Sequence, residues 1–290
     1  MRGRWSHILA KLHALLDLVR IDLVFGAGIF VVLGEILGLA GLPPMREALL
    51  GFLTGFFVSG SANISNDYFD LEVDRVNQPG RPLPSGQVTA RELWTLSILF
   101  AAIGLAAAAL LGTSVLALAA LAWLAAFLYN ARLKEMGLLG NLTVASCVAM
   151  TAIMGGAAVG SINGMVLTFA ALAFLFDLGE EIASDAMDAR GDEMRSAKSI
   201  ASSMGRGYAL RLSAGIFAAF IMATFIPILM GWQGGAYLLL ALAADICMAY
   251  FIIRLIQSSS IEEGRAQIRR LYLTWGLLAL ALILINLIRL

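Results

Sequence analysis

The sequence is poor in charge, cysteine and histidine, and each shortage excludes a class of protein. Charged residues make up only 14% of the 290 residues and 60% are hydrophobic, a balance that ordinary soluble domains do not show. The two cysteines, Cys147 and Cys247, lie in different apolar runs, so neither a disulfide nor a metal cluster is expected from them. The two histidines, His7 and His13, lie in the N-terminal segment. These shortages leave an integral membrane protein.

Long apolar runs dominate the chain. A membrane-spanning helix needs about 20 predominantly apolar residues, and about nine runs meet this need. They lie at approximately 18–41, 46–69, 93–112, 114–130, 140–161, 164–187, 209–231, 234–256 and 269–288. Because the connections are short, residues 1–290 are predicted to form a single all-α membrane domain with nine transmembrane helices.

The basic residues predict the orientation of this domain. If the N-terminus is cytosolic, every Lys and Arg except Arg46 and Arg289 lies on the cytosolic side. A cytosolic N-terminus, an odd number of spans and a location in the cell membrane are therefore expected. Residues 1–16 carry apolar side chains at helical spacing and are predicted to form an interfacial amphipathic helix. They lack the apolar run and cleavage site of a signal peptide.

An acidic cluster follows the second apolar run, in "NDYFDLEVDRVNQPGRPLPSG" (66–86). Asn66, Asp70 and Asp74 are spaced at i, i+4 and i+8, and Asp67 is an i+3 neighbour of the middle residue. A continuous helix would carry them as one stripe over two turns. Carboxylate and amide oxygens are hard ligands suited to Mg²⁺ that bridges to a substrate phosphate. The alternative is a solvated acidic helix end, whereas an EF-hand loop does not fit this spacing.

The segment after this cluster is predicted to be irregular. "QPGRPLPSG" is rich in proline and glycine, as loops are. "TARE" then has the pattern of a capping box, in which Thr89 and Glu92 begin the third span. The acidic cluster therefore lies where a span meets a short basic loop.

A second acidic cluster, "DLGEEIASDAMDARGDEMRSAKS" (177–199), follows the sixth apolar run on the same predicted side. Its spacings of 4, 3 and 4 place four acidic residues on one helical face: Glu181, Asp185, Asp188 and Asp192. Two facing stripes can hold two divalent ions around one polyanion and neutralise the charge of a leaving group. Asp177 and Asp245 lie deeper in their spans, and each is expected to be interior and paired with a polar neighbour.

Basic and aromatic residues near the two clusters are candidates for binding an anionic substrate. Arg81 follows the first cluster and Lys198 follows the second. Arg132 and Lys134 lie in "YNARLK" at the end of the fourth span. Each cation alone is also explained by the orientation rule, and Tyr129 of the same segment is equally explained as an interfacial belt residue. Glycines of the fifth span, Gly155, Gly156 and Gly160, are predicted to allow close helix packing.

With both clusters in view, the chain resembles the UbiA superfamily of intramembrane prenyltransferases over nearly its whole length. "NDYFDLEVD" matches the first family motif, N-D-x-x-D-x-x-x-D, and "DAMDARGD" matches the second, D-x-x-D-x-x-x-D. "YNARLK" is similar to the family's Tyr-x-x-x-Lys segment, and "VRIDLVFGAG" places Arg20 where the family has an Arg opening the first span. The nine predicted spans agree with this resemblance.

The resemblance implies an enzyme with a cytosol-facing central cavity that transfers an isoprenyl group through an allylic cation. Its implied partners are an isoprenyl diphosphate donor, a lipophilic acceptor and membrane lipids, with Mg²⁺ as cofactor and no nucleic acid. The implied Mg²⁺ ligands are Asn66, Asp70, Asp74, Asp185, Asp188 and Asp192, and the aspartates Asp70, Asp74, Asp188 and Asp192 are the implied catalytic residues. The implied substrate-binding residues are Arg20, Asp67, Arg81, Tyr129, Arg132, Lys134 and Lys198. Asp67 is either a metal ligand or a partner of one.

Within the superfamily, "RIDLVFG" and "GLLGNLTVA" resemble archaeal-type geranylgeranylglycerol-phosphate geranylgeranyltransferases, so geranylgeranyl diphosphate is the expected donor. Relatives in that group often carry Arg-Glu-Ile-x-Lys-Asp before the second motif, whereas this chain reads "EEIASD". Glu180 and Ser184 replace two cations, which disfavours a phosphate-bearing acceptor. An aromatic acceptor, a quinone or tetrapyrrole precursor, stays open. The alternative from another class is a cation-coupled transporter, although such proteins usually place their acids near the membrane midplane.

Overall fold

The fold is entirely helical in the part of the chain that is described. A computed structural model describes residues 2–195 and 199–288, with side chains for 11–187 and 199–286. The helices are α1 (Arg2–Val19), α2 (Ile21–Leu39), α3 (Met45–Phe69), α4 (Leu71–Asn77), α5 (Ala90–Leu111), α6 (Thr113–Ala131), a 3₁₀ turn (Leu133–Met136), α7 (Leu138–Ala158), α8 (Gly164–Arg195), α9 (Ile200–Met204), α10 (Arg206–Ala223), α11 (Ile226–Leu229), α12 (Gly235–Ile256) and α13 (Ile261–Ile288).

Eight helical segments in the described residues are long and apolar enough to cross a membrane: α2, α3, α5, α6, α7, α10 with α11, α12 and α13. The predicted span 164–187 lies within α8, where Asp177, Glu180 and Glu181 interrupt the apolar sequence. The prediction of an all-α, multi-pass membrane protein is confirmed. The count of nine spans stays a prediction.

The central helices pack through glycines and through an aromatic cluster. Where α2 crosses α7, a Cβ added at Gly155 would contact the backbone carbonyl oxygen of Val31, so the two backbones touch there. Gly160 has a φ of +69° and open space around it, so it serves a turn and the prediction of helix packing was wrong at this position. On the other side, Phe176 of α8 stacks on Trp275 of α13 at 5.7 Å between ring centroids.

Several predicted spans differ from the helices observed, and the predicted span 18–41 contains the break at Arg20 between α1 and α2. The last begins at Ile261, earlier than the predicted 269, because its charged first turns are helical and Ser260 Oγ accepts from the Glu263 backbone N–H at 3.1 Å. A search for apolar runs does not see such charged turns. The predicted span 209–231 is divided between α10 and α11, with Pro227, which lacks an N–H, in the first turn of α11.

The division between α10 and α11 is held by side chains of neighbouring elements. Tyr237 of α12 donates its hydroxyl hydrogen to the Thr224 carbonyl at 2.7 Å. The Thr224 hydroxyl donates to Asp245 Oδ2 at 2.8 Å. The expectation that Asp245 is interior and paired with a polar neighbour is therefore confirmed, and its role here is to hold a broken helix.

Candidate active site at the motif end of the bundle

The first acidic motif forms a continuous stripe even though α3 ends inside it. Asp70 caps α3, and α4 follows at once. The Asp70 backbone N–H donates to the Asn66 carbonyl at 2.9 Å, and the Asp74 N–H donates to the Asp70 carbonyl at 2.8 Å. The i to i+4 pattern is thus unbroken, and Asn66, Asp70 and Asp74 occupy successive turns. We refer to this end of the bundle as the motif end.

The acids of this stripe are buried and are paired with cations. Asp67, Asp70 and Asp74 are 3%, 8% and 3% exposed, which excludes the alternative of a solvated acidic helix end. Lys134 Nζ donates to Asn66 Oδ1 at 2.9 Å and also contacts the Asp70 carboxylate. Arg81 Nη1 lies 2.6 Å from Asp74 Oδ2. Buried charges must be balanced in this way.

Asp67 holds two arginines on the other side of the stripe. Its Oδ1 lies 2.8 Å from Arg20 Nη2 and 3.6 Å from Arg81 Nη1. Arg20 joins α1 to α2 with φ +52°, a left-handed conformation that is uncommon outside glycine. Its carbonyl accepts the Leu23 and Val24 backbone N–H groups. Asp67 therefore positions Arg20 and Arg81, and these contacts favour the partner role over the metal-ligand role.

The second motif begins at the same end of the bundle. The Asn141 side chain of α7 donates to Asp185 Oδ2 at 2.9 Å. Tyr129 of α6 and Lys134 of the 3₁₀ turn line the same cavity as Asn66 of the first motif and Glu181, which lies one turn before Asp185. The end of α6 and the turn that follows it therefore lie between α3, which carries the first motif, and α8, which carries the second.

A cavity of about 640 Å³ opens between these motif helices, within the range of about 300–1,000 Å³ usual for small-molecule sites. Asn66, Lys134, Arg20 and Tyr129 line its polar part. The apolar part is lined by side chains of several spans: Phe30, Val58, Ala126, Val148, Phe176 and Trp275. A second hollow of about 500 Å³ is lined by Arg20, Asp67 and Arg81, among others. Arg20 borders both.

Of the four remaining predicted site residues, one is exposed and the side chains of the other three lie outside the described part of the chain. Arg132 is exposed and is not among the residues that line the cavity. Asp188 and Asp192 lie on α8 beyond Met187, where side chains are outside the described part, and Lys198 lies outside the described residues. Their roles stay predictions.

Some polar residues of the site were not singled out from the sequence. Asn141 holds Asp185, and the Asn130 side chain donates to the Ala62 carbonyl of α3 at 2.9 Å. Asn63 lines the cavity one turn deeper than Asn66. All three are amides within or beside apolar runs, where a polar side chain is rare and usually has a partner or a function. That signal was available in the sequence.

The donor set fits Mg²⁺. Asn66, Asp70 and Asp74 offer only carboxylate and amide oxygens, the ligands that Mg²⁺ prefers, and they lie on successive turns. Among the side chains that are described, no three acidic, His or Cys groups converge as a ready metal cluster. Instead, Lys134 and Arg81 contact the carboxylates. The same cations are suited to phosphate oxygens, so metal and phosphate can share this set of residues.

Comparison with known proteins shows the family of the chain. Residues 27–278 match the model of the UbiA prenyltransferase family. The chain belongs to this family. As a UbiA prenyltransferase it is an enzyme, and the transporter alternative loses its support.

The relatives of this UbiA protein include archaeal lipid enzymes. It is 35% identical over 243 residues to the digeranylgeranylglyceryl phosphate synthase of Thermococcus gammatolerans, covering 84% of this chain and 88% of the relative. A solved structure of a digeranylgeranylglyceryl phosphate synthase superposes with a TM-score of 0.78 at 26% identity, covering 94% of this chain and 98% of the other.

A third comparison supports the fold of this UbiA protein alone. The UbiA homologue of Archaeoglobus fulgidus bound to GPP and Mg²⁺ has a TM-score of 0.71 at 19% identity, covering 94% of this chain and 99% of that one. The overall helical arrangement is therefore that of the family.

Proposed function

We propose that this UbiA-family protein transfers a geranylgeranyl group from geranylgeranyl diphosphate to a hydroxyl group of a glycerol-phosphate ether lipid, with Mg²⁺ as cofactor. The observation that carries this proposal is that Asn66 of the first motif, Lys134 and Arg20 line one cavity, while Lys134 also pairs with the buried Asp70 beside it. The name borne by the relatives, digeranylgeranylglyceryl phosphate synthase, supports this donor and acceptor.

The motif end would bind the diphosphate of the donor. Lys134 and Arg81 are already held beside the motif by Asp70 and Asp74, so their charges are positioned before a phosphate arrives. Asn66, Asp70 and Asp74, with Asp185, Asp188 and Asp192, would hold Mg²⁺. When bound, the metal neutralises charge that develops on the departing pyrophosphate. Breaking the allylic C–O bond is favoured at such a site because the two cations and the bound metal would all stabilise the pyrophosphate leaving group.

The apolar part of the cavity would hold the polyprenyl tail. Its walls carry Phe30, Phe176 and Trp275, whose aromatic rings offer apolar surface to an isoprenoid chain. A tail bound there excludes water from the allylic carbon, which protects the carbocation from hydrolysis. We further propose that the chain is one membrane domain. Its N-terminus and motif end would face the cytosol, and α1 would lie at the interface as residues 1–16 predict.

One observation favours a second candidate, an aromatic acceptor. Both carboxylate oxygens of Glu180 accept hydrogen bonds, one from Ser184 Oγ at 2.5 Å and one from Tyr272 OH at 3.2 Å. Tyr272 lines the cavity, so a negative charge lies one hydroxyl away from the cavity wall. An acceptor phosphate on this wall would be repelled, whereas an uncharged ring would not.

An acceptor screen tests the proposed function. Purified protein in nanodiscs receives Mg²⁺ and labelled geranylgeranyl diphosphate, with either geranylgeranylglyceryl phosphate or a quinone precursor as acceptor. We expect the labelled diether lipid and pyrophosphate in equal amounts. Transfer to the quinone precursor alone would support the aromatic candidate. Failure to consume any allylic diphosphate with either acceptor would contradict both.

A further inference from the structure

Two buried polar atoms that line the cavity have no hydrogen-bond partner among the described residues. They are Asp177 Oδ2 on α8 and Asn63 Nδ2 on α3. Asp177 is only 7% exposed. The expectation that Asp177 is interior is confirmed, but no polar neighbour satisfies this oxygen within the described part of the chain. Native proteins rarely leave buried polar atoms unpaired, and such atoms in a cavity indicate a ligand group that completes them.

The two atoms have complementary chemistry. Asn63 Nδ2 is a donor and Asp177 Oδ2 is an acceptor. A hydroxyl group is the ligand that can use both at once, because its oxygen accepts one hydrogen bond while its hydrogen is donated in another. Neither a hydrocarbon tail nor a phosphate can satisfy this pair, since the tail makes no hydrogen bonds and a phosphate would be repelled by the carboxylate.

The depth of the pair also fits a nucleophile. Asn63 lies one helical turn deeper than Asn66, which corresponds to about 4.5 Å along α3. Asp177 lies two turns deeper than Asp185 on α8, about 12 Å along the axis. A donor whose diphosphate is held at the motif end has its reacting carbon just below the motifs. Both residues therefore lie on the cavity wall below the motifs, on the side from which an acceptor hydroxyl would approach that carbon.

Glu180 and Glu181, the acids nearest to Asp177 along α8, lie in other surroundings. Glu180 accepts hydrogen bonds from Ser184 and Tyr272. Glu181 lies one turn closer to the motif end, where Lys134 lines the same cavity. Among the described side chains of α8, Asp177 is thus the acid that both lines the cavity and has a buried oxygen without a hydrogen-bond partner.

We infer that Asn63 and Asp177 form the subsite for the acceptor hydroxyl, and that Asp177 takes its proton during transfer. This inference rests on the proposed function. The bond between the allylic carbon and the diphosphate oxygen breaks, and its electron pair leaves with pyrophosphate. The acceptor oxygen forms the new C–O bond with that carbon, and its proton passes to the Asp177 carboxylate. Asn63 orients the oxygen, so Asp177 is a catalytic residue and Asn63 is an acceptor-binding residue.

The test compares Asp177→Asn with Asp245→Asn. Both replace a buried carboxylate that has one unpartnered oxygen, but Asp245 is not among the residues that line the cavity. We expect Asp177→Asn to lower kcat for diether formation at least 100-fold and to remove the acidic limb of the pH–rate profile. The Km for geranylgeranyl diphosphate should change less than threefold. Asp245→Asn should keep the wild-type values.

A second variant tests the binding half of the subsite. Asn63→Leu should raise the Km for the glycerol-phosphate acceptor about tenfold and leave the Km for the donor unchanged. This variant also serves if Asp177→Asn does not fold, which thermal unfolding of each purified variant would reveal. A further readout is the partition of consumed donor between diether and geranylgeraniol, which should move toward the alcohol in both variants because water then competes for the cation.

Three outcomes separate the inference from the proposed function. If the wild type forms diether and Asp177→Asn keeps its kcat and pH profile, the inference is wrong and the proposed function stands. If Asp177→Asn stops donor cleavage as well as transfer, Asp177 acts on the donor and the inference is also wrong. If the wild type forms no diether with any glycerol-phosphate acceptor, the proposed function fails and the inference fails with it.

Discussion

At the scale of single residues, the acids of the first motif differ in what surrounds them. Asp70 and Asp74 are buried beside Lys134 and Arg81, whereas Glu72, which lies between them in sequence, has a side chain that is 81% exposed and pairs with Arg75. Helical spacing places Glu72 on the opposite face. Charge alone therefore does not mark a site residue in this segment; burial next to a cation does.

The pair Asp70 and Glu72 allows a matched test of the metal assignment. Asp70→Asn should lower kcat at least about 100-fold because it removes an anionic oxygen ligand at the site of charge development. Glu72→Gln, two residues away, should stay within about twofold of wild type. Steady-state kinetics at several Mg²⁺ concentrations would measure both, and equal losses in the two variants would contradict the assignment.

Lys134 is expected to bind the donor rather than to hold the fold. Lys134→Ala removes a charge-assisted contact of about 1.5–3 kcal/mol, so the Km for the donor should rise about 10- to 100-fold. The matched control is Lys11→Ala. This change breaks the salt bridge between Lys11 Nζ and Glu92 Oε2, which are 2.7 Å apart, and neither residue lines the cavity. Donor titrations at saturating acceptor would show the difference. An unchanged donor Km in Lys134→Ala would contradict a role in diphosphate binding.

At the scale of elements, backbone contact between α2 and α7 positions the cavity walls. A Cβ added at Gly155 would lie 2.8 Å from the Glu35 backbone nitrogen. A Cβ added at Gly34 would likewise meet the backbone carbonyl of Ala152. Lipid tails are as apolar as the helix surfaces, so hydrophobic burial does not drive helices together in a membrane. Close packing at small residues contributes to their association instead. The two glycine positions thus set how near the first span lies to the fifth.

Gly155→Ala is expected to destabilise the protein by about 1–3 kcal/mol, because the added methyl group meets backbone that cannot move away. Gly215→Ala is the control, since a Cβ at this exposed position of α10 meets no atom within 4 Å. That variant should be neutral or more stable by about 0.5–1 kcal/mol, as alanine favours a helix. Thermal unfolding in detergent would measure both, and equal midpoints would contradict the packing argument.

At the scale of the whole molecule, the first motif, the start of the second motif and three basic residues occupy the same end of the bundle. Arg20, Arg81 and Lys134 come from three separate connections between helices, and all contact the first motif. The same three cations therefore count toward the predicted membrane orientation and also form the proposed anion site. This shared use is why neither explanation could be separated from the other by sequence alone.

The orientation can be tested by labelling single cysteines in a background lacking Cys147 and Cys247. Ser85→Cys lies in the exposed loop at the motif end, and Arg46→Cys lies at the start of α3, at the opposite end. In intact cells, an impermeant maleimide should label Arg46→Cys directly and Ser85→Cys only after permeabilisation. The reverse pattern would contradict a cytosolic motif end.

Several features followed from local sequence because their causes are local. The capping box at Thr89 and Glu92 is present as predicted, with both reciprocal hydrogen bonds. The irregular proline-rich loop and the acidic stripe of the first motif are also present, since helical periodicity and turn residues act over a few neighbours. Helix ends were less predictable where charged turns continue a span, as in α13.

The sequence by itself determined the multi-pass helical pattern, the acidic stripe of the first motif and the family to which the chain belongs. Only the tertiary structure decided which cation meets which acid. Arg20 and Asp67 are 47 positions apart, and Lys134 and Asp70 are 64 positions apart. It also brought Asn63 and Asp177 to one cavity. Periodicity acts within a single helix, whereas these contacts depend on how separate helices pack, which no short stretch of sequence contains.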